Sequence, residues 1–462
     1  MRRQRCMWVS MVATVAVVGA PFSSAAPVQA APQPPVEPPV FWPIPPEFDD
    51  FYNPSPELVA QAEPGQIVRA RQVNLANFSV LPTNVDAWQL LYRTNDSHGR
   101  AISGVTTVLK PRGPAPAGGR KLLSYQAAED SLAHYCAPSY AWQAGSLPPN
   151  LTLVTQLEQL MAMIGVGQGW TVSVPDHEGP NSAYAAGRLA GQTTLDGIRA
   201  VESFEPAQVS GTDTPVALWG YSGGAIATSW AAELHESYAP ELQIKGVASG
   251  GIPSDTRELV KVNNKGLFAG LIYAAIIGVS REYPELAAAL NRDLDPVGQA
   301  TMALKKPLCT NWTSAVLPFM DYLGTFKQDP FLDPVLNQVF EDTSLGKAVP
   351  KMPQFLYESV NDEATAPWKV DSLVAGYCRD PQASVHYERD IASEHVTLTA
   401  TGAASALIWL RDRLDGVPAQ SGCTTDTKTT MLQDPGAMDT LRDSLGAVLA
   451  GLLGQAIGSQ VR

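Results

Sequence analysis

The sequence predicts an α/β fold, a mostly parallel central sheet flanked by helices with an inserted helical cap. Three observations lead there. From residue 122 onward, short apolar runs alternate with longer segments of helical periodicity, the arrangement that builds a parallel sheet covered on both faces. Within that alternation, Gly220-Tyr221-Ser222-Gly223-Gly224 fits G-x-S-x-G between the apolar run 215–219 and a helical stretch, 225–236. A serine therefore sits where a strand turns sharply into a helix, with glycines permitting the bend. Between Gly251 and Val349 the alternation stops and helical patterns take over, including the apolar run Leu267 to Val279. An insertion between two sheet strands lies where ligands bind in α/β sheets, which makes this segment a cap over the active face.

The elements follow in order. Arg2, Arg3 and Arg5, the apolar run Met7 to Ala20 and Val28-Gln29-Ala30 make residues 1–30 a secretory signal peptide, with a mature start near Ala31. The run is too short for a comfortable membrane span, and Cys6 precedes it, out of place for lipid attachment after cleavage. Residues 31–56 form a proline-rich arm carrying Phe41, Trp42, Phe48, Phe51 and Tyr52. Proline excludes helix and central strand here, so the arm is read as extended and anchored by its aromatics. Residues 57–250 and 350–423 make the core. Segments 67–73, 87–93 and 102–109 are antiparallel strands at one sheet edge. The alternation then gives strands at 122–125, 171–174, 215–219, 244–248, 355–360 and 384–387, with helices at 153–164 and 184–204. Residues 251–349 are the cap. The tail, 424–462, begins polar and then carries Leu441, Leu445, Val448, Leu449, Leu452, Leu453 and Ala456 at helical spacing. That amphipathic helix is read as packing on the body, with binding to a lipid–water interface as the alternative.

Composition narrows the partners. The 462 residues are 45% hydrophobic and 17% charged, enough to bury a large core. Loss of the three signal arginines takes the net charge from −13 to about −16, which argues against nucleic acid and anionic membranes. Removal of Cys6 leaves Cys136, Cys309, Cys378 and Cys423. Four cysteines in an exported chain imply two disulfides, with three pairings possible.

A serine hydroxyl needs a base to take its proton and an acid to orient that base. In this strand–turn–helix setting the chain order is serine, acid, histidine. His98, His134 and His177 precede Ser222, and His235 lies in the helix that follows it. His386 falls inside a strand, whereas His395 follows the loop 390–394 and opens a helix running to about Leu414, which favours His395 as base. Asp362 directly follows the strand 355–360 and is the first choice of acid, with Glu363 as the fallback. A tetrahedral intermediate needs two amide donors. Gly223 supplies the first, and Asp130, in the loop 126–131 after an early strand, is the best choice for the second. This chemistry requires no metal or cofactor.

The chain resembles the secretory lipases typified by Candida lipase A, which are α/β-hydrolases with a helical cap. The matching words are Ser124-Tyr125-Gln126 with Glu129-Asp130-Ser131, Cys136 to Tyr140, GQGWTVSVPDHEG at 167–179, and GYSGGAIATSWAAELHESYAPEL at 220–242. Asp362-Glu363 and Glu394-His395 close the set, and the likeness spans roughly Phe51 to Cys423. The resemblance implies Ser222 as nucleophile, Asp362 as acid, His395 as base and an oxyanion hole from the amides of Asp130 and Gly223. It also implies disulfides Cys136–Cys309 and Cys378–Cys423. The expected protein is a secreted serine ester hydrolase acting on lipid esters through an acyl-enzyme, monomeric, with a lipid–water interface as a possible partner surface. Three other readings remain open: a carboxylesterase for short or bulky esters, an exported serine peptidase, and a non-catalytic surface-binding protein on the same body.

Overall fold

The computed structural model describes Met1, residues 33–147 and residues 152–458. The signal peptide expected at 1–30 lies, from residue 2 on, outside the described residues. The strands are β1 (Val36–Glu37), β2 (Ile67–Gln72), β3 (Ala76–Asn77), β4 (Leu81–Pro82), β5 (Asp86–Asn95), β6 (Ala101–Lys110), β7 (Leu122–Gln126), β8 (Thr171–Pro175), β9 (Val216–Tyr221), β10 (Ile244–Gly250), β11 (Gln354–Ser359), β12 (Ser384–Asp390) and β13 (Gly422–Lys428). Among the described residues, all but the small β3–β4 pair join one sheet in the order β1-β2-β5-β6-β8-β7-β9-β10-β11-β12-β13. The ladders β2–β5, β5–β6 and β6–β8 are antiparallel, and the ladders from β8 through β7 to β13 are parallel. Strands β7, β8 and β9 are buried at every residue, as a sheet covered on both faces requires.

The early helices are α1 (Pro56–Gln61), α2 (Pro138–Ala141), α3 (Leu153–Gly167), α4 (Gly187–Ser203) and α5 (Gly223–Tyr238). Between β10 and β11 come α6 (Thr256–Val262), α7 (Ala269–Glu282), α8 (Pro284–Asp293), α9 (Pro296–Lys305), α10 (Thr310–Ala315) and α11 (Pro334–Thr343). Then follow α12 (Pro367–Tyr377), α13 (His395–Thr401), α14 (Ala403–Leu414) and α15 (Ala437–Leu452). One face of the sheet packs Met163 of α3, Leu407 and Leu410 of α14 and Val448 of α15. The other packs Leu195, Ile198 and Val201 of α4 against Ala231 of α5. The helices between β10 and β11 hold their own apolar clusters, built around Tyr273, Ile277 and Tyr322 and around Leu286, Leu290 and Val339.

Four readings of the sequence are corrected. The helix expected at 184–204 starts at Gly187, because Ala185 takes φ +67° and ends any helical path before it. The helix expected from His395 to Leu414 breaks at Gly402 into α13 and α14. The core was expected to end at Cys423, yet β13 crosses that boundary and pairs with β12 from Gly422 to Lys428. Its sequence, GCTTDTK, is polar and largely exposed, so the ladder is held by backbone hydrogen bonds and leaves no apolar alternation to read. The arm is anchored by Phe51 and Tyr52, each 3% exposed, with the Arg71 guanidinium 4.1 Å over the Phe51 ring. Phe41, Trp42 and Phe48 stay exposed. In the tail, α15 buries Ser444, Val448 and Gly451 while Leu445, Leu449 and Leu453 face outward.

Candidate active site

The site is assembled from the C-terminal ends of four strands. β9 delivers Ser222, the residue between its last strand position and the start of α5, at φ +52° and ψ −119°. A non-glycine residue held there costs about 1–3 kcal/mol and persists only where its surroundings fix it. Ser222 N donates to Gly250 O at 2.9 Å, and Ser222 O accepts from Ala225 N at 2.9 Å. Two glycines make the turn possible. A Cβ on Gly220 would overlap the Thr228 hydroxyl and stand 2.5 Å from Gly224 O, and a Cβ on Gly223 would overlap Asp130 Oδ1.

The loop after β12 brings His395 to the serine. Its Nε2 lies 2.8 Å from Ser222 Oγ, and its Nδ1 lies 2.6 Å from Asp362 Oδ2. With Nδ1–H donating to the carboxylate, Nε2 is left to accept from the hydroxyl. Glu394 caps α13, accepting from Val396 N at 2.7 Å and Thr397 N at 2.9 Å, which fixes where His395 begins. Tyr221 Oη donates to His395 O at 2.6 Å, and Phe268 stands edge-on to the imidazole with centroids 5.9 Å apart. Burial pulls the imidazole down. The hydrogen bond to Asp362 and the charges of Asp362 and Glu363 outweigh it and hold His395 above its ordinary value.

Asp362 comes from the turn after β11. Its Oδ1 accepts from Ala364 N at 2.9 Å and Thr365 N at 2.7 Å. Burial pushes this carboxyl up, but the hydrogen bond and charge of His395, with Glu358 and the Thr365 amide, hold it well below the usual carboxylate range. Glu358, on β11, is its complement. Burial and then the charge of Asp362 keep Glu358 well above the ordinary range, so it stays neutral and donates a hydrogen bond to Asp362. Glu363, the alternative acid, instead accepts from His395 N at 3.1 Å and does not meet the ring. His386 is engaged within its sheet edge, with Nδ1 2.7 Å from Thr424 Oγ1 and Nε2 2.8 Å from Glu388 Oε1.

The loop after β7 places Asp130 against the elbow. Asp130 takes φ +45° and is 3% exposed. Its neighbours are pinned from several directions. Ala128 N donates to Glu158 Oε2 at 3.0 Å, Ser131 N donates to Glu178 Oε1 at 3.2 Å, and Leu132 N donates to Leu308 O at 3.2 Å. His177 Nε2 meets Ala127 O at 2.7 Å, and His177 N donates to Glu129 Oε1 at 2.9 Å. Burial lowers His177 to about 4, so the ring is neutral and donates from Nε2. Arg281 of α7 donates to Leu132 O at 2.8 Å and Asn181 O at 2.7 Å. Helix α5 begins at Gly223, so the Gly223 amide has no intrahelical acceptor.

Cys136 is bonded to Cys309, with Cα atoms 5.5 Å apart, and Cys378 to Cys423, 6.0 Å apart. The first ties the segment after the Asp130 loop to the helical segment between β10 and β11. The second ties α12 to the start of β13. Beside Ser222 and His395 runs an apolar cavity lined by Ile226, Leu271, Ile272, Val279, Leu336 and Phe340.

A family model described as secretory lipase matches residues 145–422. The chain belongs to the secretory lipase family. It is 38% identical over 430 residues to Lipase A of Arthroderma benhamiae, covering 91% of this chain and 90% of that protein. It is also 38% identical over 381 residues to a probable inactive lipase of Mycobacterium tuberculosis, covering 81% and 84%. The X-ray structure of Candida antarctica lipase A in its closed state superposes with a TM-score of 0.79 at 29% identity, covering 89% of this chain and 98% of that one. The chain thus has the α/β-hydrolase fold.

Sequence reasoning missed Glu358, Glu158, Glu178 and Arg281. Glu158, Glu178 and Arg281 act through partners from remote elements, and Glu358, four residues before Asp362, is set apart by its burial. His177 and Glu178 did lie in a family-like word, PDHEG, whose histidine and glutamate now have a physical use in holding the Asp130 loop.

Proposed function

We propose that this chain is a secreted serine hydrolase of lipid esters. The observation that carries the reading is the continuous chain Ser222 Oγ, His395 Nε2, His395 Nδ1, Asp362 Oδ2, with links of 2.8 and 2.6 Å. Ser222 Oγ attacks the ester carbonyl carbon and its proton passes to His395 Nε2. Asp362 stabilises the imidazolium. The tetrahedral oxyanion is held by the amides of Gly223 and Asp130. As the C–O bond breaks, His395 gives its proton to the departing alcohol and the acyl-enzyme remains. Water then attacks the acyl carbon as its proton passes to His395, the Ser222 Oγ–acyl bond breaks, and His395 returns the proton to Ser222 Oγ as the acid leaves. The apolar cavity beside the serine suits an acyl chain, which favours lipid esters over short or bulky ones. Family membership and the two disulfides support an extracellular site of action.

A chain-length series of p-nitrophenyl esters with an emulsified triglyceride tests the reading, with Ser222→Ala alongside. The wild type is expected to hydrolyse medium and long chains, and the variant to lose about 10⁴–10⁶ in kcat. A wild type inert on every ester would contradict the reading and favour a non-catalytic protein. Activity confined to short chains would favour a carboxylesterase.

A further inference from the structure

The Asp130 carboxyl has no role in the steps above, which use only its amide. It is 3% exposed, and its Oδ1 has no hydrogen-bond partner among the described residues. An inaccessible carboxyl oxygen without a donor is costly. Its position is specific. Oδ1 occupies the place a side chain on Gly223 would fill, so the carboxyl lies against the α-carbon whose own amide is directed at the oxyanion. A left-handed backbone at residue 130 holds it there, in a conformation aspartate and asparagine tolerate better than most residues.

We propose that the Asp130 carboxyl is a catalytic residue, donating an O–H hydrogen bond to the oxyanion beside the Gly223 and Asp130 amides. This rests on the serine-hydrolase reading and adds a third donor to it. The groups facing Asp130 are consistent with a retained proton. Burial pushes its carboxyl up to about 7, Glu158 of α3 adds to the rise, and His395 opposes it. Glu129 on its own loop and Glu178 and Tyr184 from the segment after β8 also face Asp130. A neutral acid donates to developing negative charge, whereas the ionised form repels it. No covalent step is added, and the proton stays on Asp130 throughout.

The test compares wild type, Asp130→Asn and Asp130→Gly on a p-nitrophenyl ester across the pH range, with Ser222→Ala as control. Glycine keeps the amide and accepts the left-handed backbone, so Asp130→Gly removes the side chain alone. At pH 6 the expected loss in kcat is about 10²–10³ for Asp130→Gly, with KM little changed. Asparagine restores an N–H donor, so Asp130→Asn is expected to fall by only about tenfold. The wild type is expected to lose kcat as pH rises past about 7, a limb absent in Asp130→Asn. Asp176 is raised alike, so the proton is read from the infrared difference between wild type and Asp130→Asn, as one undissociated-acid carbonyl band that titrates near pH 7, without reference to activity. Equal activity and equal pH profiles in all three proteins overturn the proposal, as does absence of that band from the difference. An active Ser222→Ala would instead overturn the triad, leaving the infrared result to report on Asp130 alone.

Discussion

Two aspartates flank Ser222, and they are opposites. Asp362, after β11, meets His395 Nδ1, the Ala364 and Thr365 amides and the neutral acid of Glu358. Asp130, after β7, has one oxygen with no donor among the described residues. Both are buried, 8% and 3% exposed. Burial pushes both carboxyls up, yet Asp362 ends well below the usual range and Asp130 rises to about 7. Burial therefore does not decide the charge. The donors do, because each hydrogen bond to a carboxylate stabilises only its ionised form. One strand end supplies donors and makes an anion that can support an imidazolium. The other withholds them and makes an acid that can donate.

The comparison breaks most visibly at Asp362. Asp362→Asn removes the charge and the acceptor that select the Nδ1–H tautomer, and kcat is expected to fall by about 10⁴. A fall of less than tenfold would mean that Glu363 or another group serves as the acid. A smaller effect separates the two aspartates by stability. Asp130 has a folded value of about 7 against 3.8 for the free group, and Asp176 behaves alike. Between those values the native state binds more protons than the unfolded chain, so stability falls as pH rises through the window. His395, raised above 6.5, adds to the fall at its upper end. Asp362 is depressed, so its contribution is already complete at pH 4 and is lost only at lower pH. The unfolding temperature is expected to drop by about 5 °C between pH 4 and 8. Asp130→Asn should flatten that slope, because asparagine does not titrate, while Asp176 and His395 leave part of it. A flat wild-type profile would contradict the protonated state of Asp130.

Much of this was legible in the chain, and the reason differs by residue. Ser222 carries a local signal, since its strand, glycines and helix are contiguous. His395 and Asp362 follow from chain order and strand ends, a rule about topology that needs no contact information. The alternation from 122 onward announced the parallel sheet because β7 to β11 are buried at nearly every position and carry short apolar runs. The polar strand β13 was silent for the opposite reason. Its ladder to β12 is made by backbone groups, and Thr425 and Thr427 face outward. Glu358 and the unpaired Asp130 oxygen were silent too. A carboxyl's charge depends on donors brought from distant segments, and composition does not record them.

The measurement that tests the convergence on Ser222 most directly is covalent capture. A p-nitrophenyl alkylphosphonate places phosphorus where the ester carbon would sit. Attack by a reactive serine forms one P–O bond and expels p-nitrophenolate. The account predicts one phosphonyl group per chain, located on the peptide containing Ser222, and none on Ser222→Ala. A label on another residue, or an unlabelled Ser222 in a chain that hydrolyses esters, would contradict it.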